Sequence, residues 1–468
     1  MQQTVCRCTL AGLMAVASTL APAQAQTWGT YLKPFSATSP WNSRPVNPVL
    51  SAYMLPPSHN PAYRPSIDDG PYSLSVFKAS PTDPAVTVYG MPGHTGVADP
   101  DNGGYHTIVI PHWPASVAPA TGSDGHADIV DEQAGIIHSF WQLHKVNGVW
   151  TAASYGWAPL KGAGFGDPAH WYQGVRAIGV PGMAGLIRVN EINDGKPNYE
   201  HALALSLQST ALAGGANTTA YVYPATAADG SASVNSGQVP EGSLMMLPAS
   251  FNINAITDPA LRKIAATLKL YGAYVVDRNS DTAYSIYVEN GGSFALPYTT
   301  AVNTQLDTIR QALRQVVWAT SYLDGDGNTR PPAPAPNILS YRGNWTLSQG
   351  LSIGAYYDPL QQMVVFPNTA KPSIMVNYSN MGLSNVSWGK PTPGTTMRFT
   401  AVTTGGASTR LQVRTGYNQV FDSGYLKNGS TASFKWPTSS TAEPLVVTLY
   451  TQSGIGTAST ARGTLTRE

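Results

Sequence analysis

The sequence predicts a mainly β protein. The expected form is a jelly-roll-like β-sandwich with peripheral helices, followed by a smaller sandwich of immunoglobulin-like or carbohydrate-binding type. Three observations predict it. Charged residues make up only 11% of the chain, while Gly (45), Pro (37), Tyr (24) and Trp (11) are abundant. That balance suits short strands and long loops, not coiled coil or helical bundles. Runs with period-2 alternation recur, as in His201-Ala-Leu-Ala-Leu-Ser-Leu207. A spacer, Arg330-Pro-Pro-Ala-Pro-Ala-Pro336, favours extended backbone and divides the chain.

The chain has 468 residues, with 27 Lys+Arg against 26 Asp+Glu. This balance excludes an electrostatic nucleic-acid binder and a polybasic membrane-surface protein, which need clustered cations. An apolar content of 42% excludes disorder. The length suits two or three domains.

Residues 1–25 read as a secretory signal peptide. Arg7 supplies the positive start, Leu10 to Leu20 the apolar stretch, and Ala23-Gln24-Ala25 the small-x-small cleavage site. The apolar stretch is too short to span a bilayer, and no later run is long enough, so no membrane insertion is expected. Both cysteines, Cys6 and Cys8, fall in this leader. The mature chain is then expected without disulfide, thiol nucleophile or Cys-bound metal, in the periplasm or medium of a bacterium.

Residues 26–329 form the expected larger domain. Thr107–Ile110, His201–Leu207, Tyr221–Tyr223 and Ala283–Val288 read as strands. Asp258-Pro259 opens a helix, with Asp as cap and Pro in the first turn. Leu261, Ile264, Ala265 and Leu268 share its inner face, and Gly272 ends it. A second helix is expected from Gln305 to Trp318, with Leu306, Ile309, Leu313 and Val316 inward. Residues 330–337 form the linker. Residues 338–468 carry strand runs such as Met363–Phe366, Ser373–Asn377 and Leu445–Leu449 between Gly, Asn and Ser turns.

Chemistry concentrates between residues 99 and 290. A hairpin turning at Glu132-Gln133 would carry His126, Asp128 and Asp131 on one strand. His138, Trp141, Gln142 and His144 lie on the other. Loop length decides whether His138 joins His126 and Asp128 or lies opposite them, and the sequence leaves that register open. A His beside a carboxylate can work as an oriented acid or base. Arg188 and Glu191 offer an ion pair, and Glu191 offers a proton donor. His201 opens an apolar strand, where a polar group needs a partner or a cleft. Asp277 ends the run Tyr271–Asp277. Trp141, Trp150, Trp157, Trp171 and Tyr172 crowd the same region, and rings beside carboxylates suit a sugar cleft. The competing reading makes these polar groups hydrogen-bonded core and turn residues. Asp324-Gly-Asp-Gly-Asn328 lacks the Gly and the closing carboxylate of a calcium loop, so it reads as a turn. No metal centre and no cofactor are expected.

The order Gly-Ser-Asp-Gly-His126, Phe140-Trp141, Gly-Leu-Ile-Arg188-x-x-Glu191, His201-Ala-Leu and Tyr271-Gly-Ala-Tyr-Val-Val-Asp277 resembles a widespread set of secreted bacterial proteins, over about residues 35–300. The expected fold is also similar to jelly-roll polysaccharide lyases and glycosidases, a likeness of fold alone.

These features predict a secreted polysaccharide-degrading enzyme, foremost a glycoside hydrolase. Its catalytic residues would be Glu191, Asp277, His126 and His201. Arg188, Asp128, His138, Trp141, Trp171 and Tyr172 would bind the polysaccharide or oligosaccharide substrate. A lyase using His126, His201 or Tyr199 with Arg188 is the first alternative, and a non-catalytic glycan-binding or adhesion protein the second. The sequence leaves the oligomeric state open.

Overall fold

The computed structural model describes residues 27–468 except 102, 215–218, 293, 295, 333–335 and 379–385. The expected leader and the centre of the proline spacer lie outside the described residues. Among the described residues both halves of the chain are mainly β, and the first half carries two α-helices, Pro259–Leu270 and Thr300–Ala312, at its periphery.

A seven-stranded mixed sheet organises the first half. Its order is Val49–Leu50, Arg314–Trp318, Leu244–Met246, Ala273–Asn279, Leu203–Gln208, Tyr284–Tyr287 and Ser66–Asp68. One face carries Leu203, Leu205, Leu207, Val275 and Ile286, which pack under Leu261, Ile264 and Leu268 of the first helix and Leu306 and Ile309 of the second. The other face carries Ala204, Tyr274, Val276 and Tyr287. It packs with Val130, Ile137 and Ala158 of a six-stranded sheet and with Trp41 and Phe165 between them. That second sheet buries its far face, Ile129, Phe140, Tyr155 and Trp157, against a four-stranded sheet containing Val88, Ile110 and Ala152. The layers are therefore helix, sheet, sheet, sheet, each burying alternate residues of its neighbours.

One irregularity positions a key side chain. Leu205 pairs with Val275, but Ser206 pairs with Asp277. Val276 is the extra residue of a β-bulge, which reverses the facing of the residues after it. Without it Asp277 would point towards the helices. With it, Asp277 shares the inner face with Ser206.

The first helix forms where the sequence places it, capped by Asp258, whose carboxylate accepts from the Leu261 N–H at 3.0 Å. The second differs. It begins after the Thr299 cap and ends at Ala312, and Leu313 is already extended. Arg314–Trp318 is a strand beside Leu244–Met246. The helical spacing of Leu313 and Val316 continues the inner stripe, but the Val-Val-Trp run suits a sheet position and the sheet wins. Tyr221–Tyr223 forms no strand, only an isolated bridge from Tyr221 to Glu241.

The second half is a sandwich of two five-stranded antiparallel sheets. Strands such as Thr396–Thr404 and Ser408–Thr415 alternate buried and outward residues, so Met397, Phe399, Leu411, Val413 and Leu465 fill one core. It touches the first half through Arg342, which lies 3.5 Å from Asp101. Trp388 also donates to the Ala225 carbonyl at 2.6 Å.

A close backbone contact fixes the loop that crosses the six-stranded sheet. A Cβ on Gly156 would lie 2.7 Å from the Gly174 Cα, and one on Gly174 would strike the Val180 carbonyl and Pro181. Main chain on both sides leaves nothing flexible to yield. Gly174→Ala is expected to cost about 1–3 kcal/mol, in the range of overpacked sites. A urea midpoint equal to the parent's would show that the loop does not lie this close.

Candidate functional site

Residues of the two inner sheet faces line a cleft of about 1120 Å³. Its floor is a row across four adjacent strands: Asp277 opposite Ser206, Ser206 opposite Ser285, and Ser285 opposite Ser66. Three strand gaps make this row about 14 Å long. Two residues further on, Tyr287 lies opposite Asp68. Small hydroxyls in the row leave open space that larger inner residues fill elsewhere in the sandwich.

The six-stranded sheet supplies a wall. Asp131 pairs with Ile136 across a four-residue connection, and Asp128 pairs with Ser139. His126 and Trp141, at the ends of these strands, therefore share the cleft face. This register settles the open question about His138, which pairs with Ile129 and lies on the opposite face. Trp171, Tyr172, Val175, Arg176 and Ala177 form the roof, and Asp229 and Asp281 sit on flanking loops.

Asp277 is held at both oxygens. Arg176 donates through Nη1 at 2.9 Å and Ala177 through its N–H at 2.8 Å. The Arg176 guanidinium also lies 4.1 Å from the centre of the Tyr287 ring. Burial raises the pKa of Asp277 and the charge of Asp229 adds to this, while Arg176 and the Ala177 N–H act against them. Burial, and then Asp277, pushes the Tyr172 hydroxyl up to about 12, so Tyr172 stays protonated near neutral pH. Burial and Arg176 hold His126 well below its ordinary value, so its ring is neutral there.

Five expected site residues thus line one cleft: His126, Trp141, Trp171, Tyr172 and Asp277. Five others do not. Asp128 is on the same sheet face as His126 but fully buried outside the cleft lining, where it accepts from the Met183 N–H at 2.7 Å and burial pushes its pKa up to about 6. His138 bonds the Tyr155 hydroxyl at 2.8 Å among core rings, and burial lowers it to about 4. It touches no part of the cleft, because the hairpin register turns it away. Asp131 serves its own turn, accepting from the Gln133 and Ala134 N–H groups.

Glu191, His201 and Arg188 lie in a separate pocket of about 240 Å³ with Trp28, Phe35 and Trp41. Arg188 does not pair with the Glu191 side chain. Its Nε donates to Glu289 at 2.8 Å and its Nη1 to the Tyr31 carbonyl at 2.9 Å. Glu191 instead accepts from the Arg188 backbone N–H at 3.0 Å and from His201 Nε2 at 3.1 Å. Glu191 and Asp277 line different cavities, so they do not flank one bond. Tyr199 is buried beneath Lys263.

The His201–Glu191 pair has a pH signature. The other His201 nitrogen faces the Ala202 carbonyl at 2.9 Å, so both ring nitrogens meet acceptors and the cation fits. Burial disfavours both charges, but mutual attraction outweighs it: His201 is raised and Glu191 lowered. The His201 contribution is full below its ordinary pKa and is lost as pH rises through the raised value. The Glu191 contribution is present above its ordinary pKa and is lost as pH falls through the lowered value. The stability difference between the parent and His201→Gln should therefore peak between about pH 4.3 and 6.5 and shrink on both sides. A difference flat across that range, in melting curves from acid to alkaline pH, would rule out the ion pair.

Sequence reading missed Arg176, Asp68, Asp124, Asp229 and Tyr287 in the cleft. Arg176 and Asp229 lie in loops without periodicity. Asp124 was overlooked beside His126, although it accepts from Trp141 Nε1 at 3.4 Å. Among the described residues no group of three or more His, Cys, Asp or Glu could hold a metal ion. Asp324 closes a turn by accepting from the Asp326 and Asn328 N–H groups. No helix among the described residues is long and apolar enough to cross a membrane.

No protein-family model matches the chain, and no curated protein does. Among solved structures, a glycosylation-associated protein complex (Gap123) from Streptococcus agalactiae is similar at 14% identity and a TM-score of 0.18. The match covers 27% of this chain and 44% of that one. A CBM36-1 domain of a multidomain xylanase from the hindgut metagenome of Trinervitermes trinervoides is similar at 13% identity and a TM-score of 0.14. Here the match covers 27% of this chain and 97% of that one. Likeness at this level decides nothing about function, which rests on the cleft.

Proposed function

We propose that this chain is an exported glycan-active protein whose cleft binds a polysaccharide and hydrolyses a glycosidic bond. The observation that carries this reading is the cleft itself. Trp141, Trp171 and Tyr172 border a long, open, hydroxyl-lined floor that also presents carboxylates. Sugar rings offer C–H faces to aromatic rings and hydroxyls to polar floors. At about 1120 Å³ the cleft exceeds the usual size of a single small-molecule site.

Hydrolysis needs two carboxyl groups flanking the bond. Asp277 supplies one, fixed by Arg176 and Ala177. Asp229 supplies the other in place of Glu191, since it lines the same cleft and its charge reaches Asp277. Elimination is less well supported, because it needs a guanidinium free to neutralise a uronate carboxylate. Arg188 is bound to Glu289 outside the cleft, and within it Arg176 is bound to Asp277 and Arg278 lies 3.5 Å from Asp229. Residues 26–329 are proposed as the catalytic unit and 338–468 as an accessory domain, in the periplasm or medium.

Incubation with a panel of plant, algal and bacterial polysaccharides tests this. New reducing ends without new ultraviolet absorbance support hydrolysis. An absorbing unsaturated product would establish the lyase reading, and retention without cleavage the binding-protein reading.

A further inference from the structure

The charge of the cleft narrows the substrate, on the reading that the cleft binds glycan. Five carboxylates line it: Asp68, Asp124, Asp229, Asp277 and Asp281. Two guanidiniums face them, and each already has a carboxylate partner, Arg176 on Asp277 and Arg278 near Asp229. His126 lies 4.0 Å from Asp124, but its buried ring is neutral and offsets nothing. Asp124 and Asp281 have no Lys or Arg partner among the described residues, and Asp68, raised by burial, meets only the charge that Arg176 shares with Asp277; carboxylates outnumber guanidiniums in the lining by three.

These carboxylates sit among rings. The Asp124 side chain is 41% exposed and meets the edge of Trp141. Tyr63 and Tyr72, both more than half exposed, stand on the same rim. A carboxylate beside an aromatic face is the pairing that recognises an ammonium group, through charge and through the ring quadrupole. A concave site of one sign also concentrates ligands of the other sign and repels its own. The roof adds a second feature. Arg176 is 2% exposed and lines the cleft, yet its Nε and Nη2 have no acceptor among the described residues. Ligand hydroxyls can supply acceptors beside a sugar amine.

We infer that the cleft is built for a glycan carrying free, protonated amines, a polymer of de-N-acetylated amino sugar, and that it rejects polyuronates. Asp124 and Asp281 hold the amines, the tyrosine and tryptophan faces hold the rings, and Asp277 and Asp229 stand at the bond to be cut.

Titration calorimetry with the full chain tests this, using glucosamine oligomers, the same oligomers N-acetylated, and oligogalacturonates of equal length. At about pH 5.5, where exposed carboxylates are ionised, the glucosamine series should bind at least about 10-fold tighter than the acetylated series in low salt. The gap should close as salt screens the carboxylates, and the uronates should not bind. Asp124→Asn with Asp281→Asn should remove most of the preference. Equal binding of the acetylated and free-amine series would overturn the inference and leave the glycan cleft standing. So would a preference for uronates, or one that survives both high salt and the double variant. Binding of none of the three, nor of any other polysaccharide, would overturn the glycan reading itself.

Discussion

Asp277→Asn is expected to reduce hydrolysis of the preferred polysaccharide by at least about 100-fold, the scale of a positioned proton-transfer group. The variant also leaves Arg176 without its anion, and that side chain is 3% exposed. Lost stability would therefore accompany lost rate, and the rate alone would be ambiguous. Asp229→Asn separates the two. Its ion pair with Arg278 is looser and partly exposed, at 3.5 Å and 23%/26%, so it should melt close to the parent while losing a similar factor in rate. Glu191→Gln, in the other pocket, should cleave within a few-fold of the parent. If Asp229→Asn and Asp277→Asn both fold and both cleave at the parent rate, the cleft carboxylates are not the catalytic ones.

Arg188→Met is expected to cost about 3–5 kcal/mol, because it strands the charge of Glu289 in the interior. The two side chains are only 5% and 6% exposed. Arg188 also ties the Tyr31 carbonyl and packs its guanidinium 4.7 Å from the Tyr31 ring centre. Combining Arg188→Met with Glu289→Gln should recover part of the loss, since no charge is then left unpaired. Urea unfolding of the two variants measures this. A single variant within about 1 kcal/mol of the parent would mean that water reaches the pair.

Much of the architecture was legible because it follows local rules. The Asp-Pro start of the first helix, the alternation in His201–Leu207 and the strand-like runs Met363–Phe366 and Leu445–Leu449 are patterns a chain shows on its own. The second helix was read too far because Leu313 and Val316 continue its stripe, while the pull of the neighbouring strand Leu244–Met246 is non-local. In the site, the aromatics and Asp277 were legible as residue types. Their grouping was not. His138 fell away because a four-residue connection, not residue identity, sets its face. The expected pairing of Glu191 with Arg188 failed because Arg188 finds its partner about a hundred residues further along, at Glu289. Arg176 went unseen because its meaning lies wholly in Asp277 and Tyr287, both contributed by distant strands.

The bulge at Val276 makes the orientation of Asp277 a matter of chain length as much as of chemistry. A lineage that lost one codon there would keep every cleft side chain in its gene, yet turn that carboxylate towards the helices. A gain of one residue elsewhere in the same strand could restore it. Relatives of this chain are therefore best compared by counting residues between Tyr274 and Asn279 before asking which residues they are. A homologue with an intact Asp and a shorter count would match this chain in an alignment and yet lack the carboxylate in its cleft.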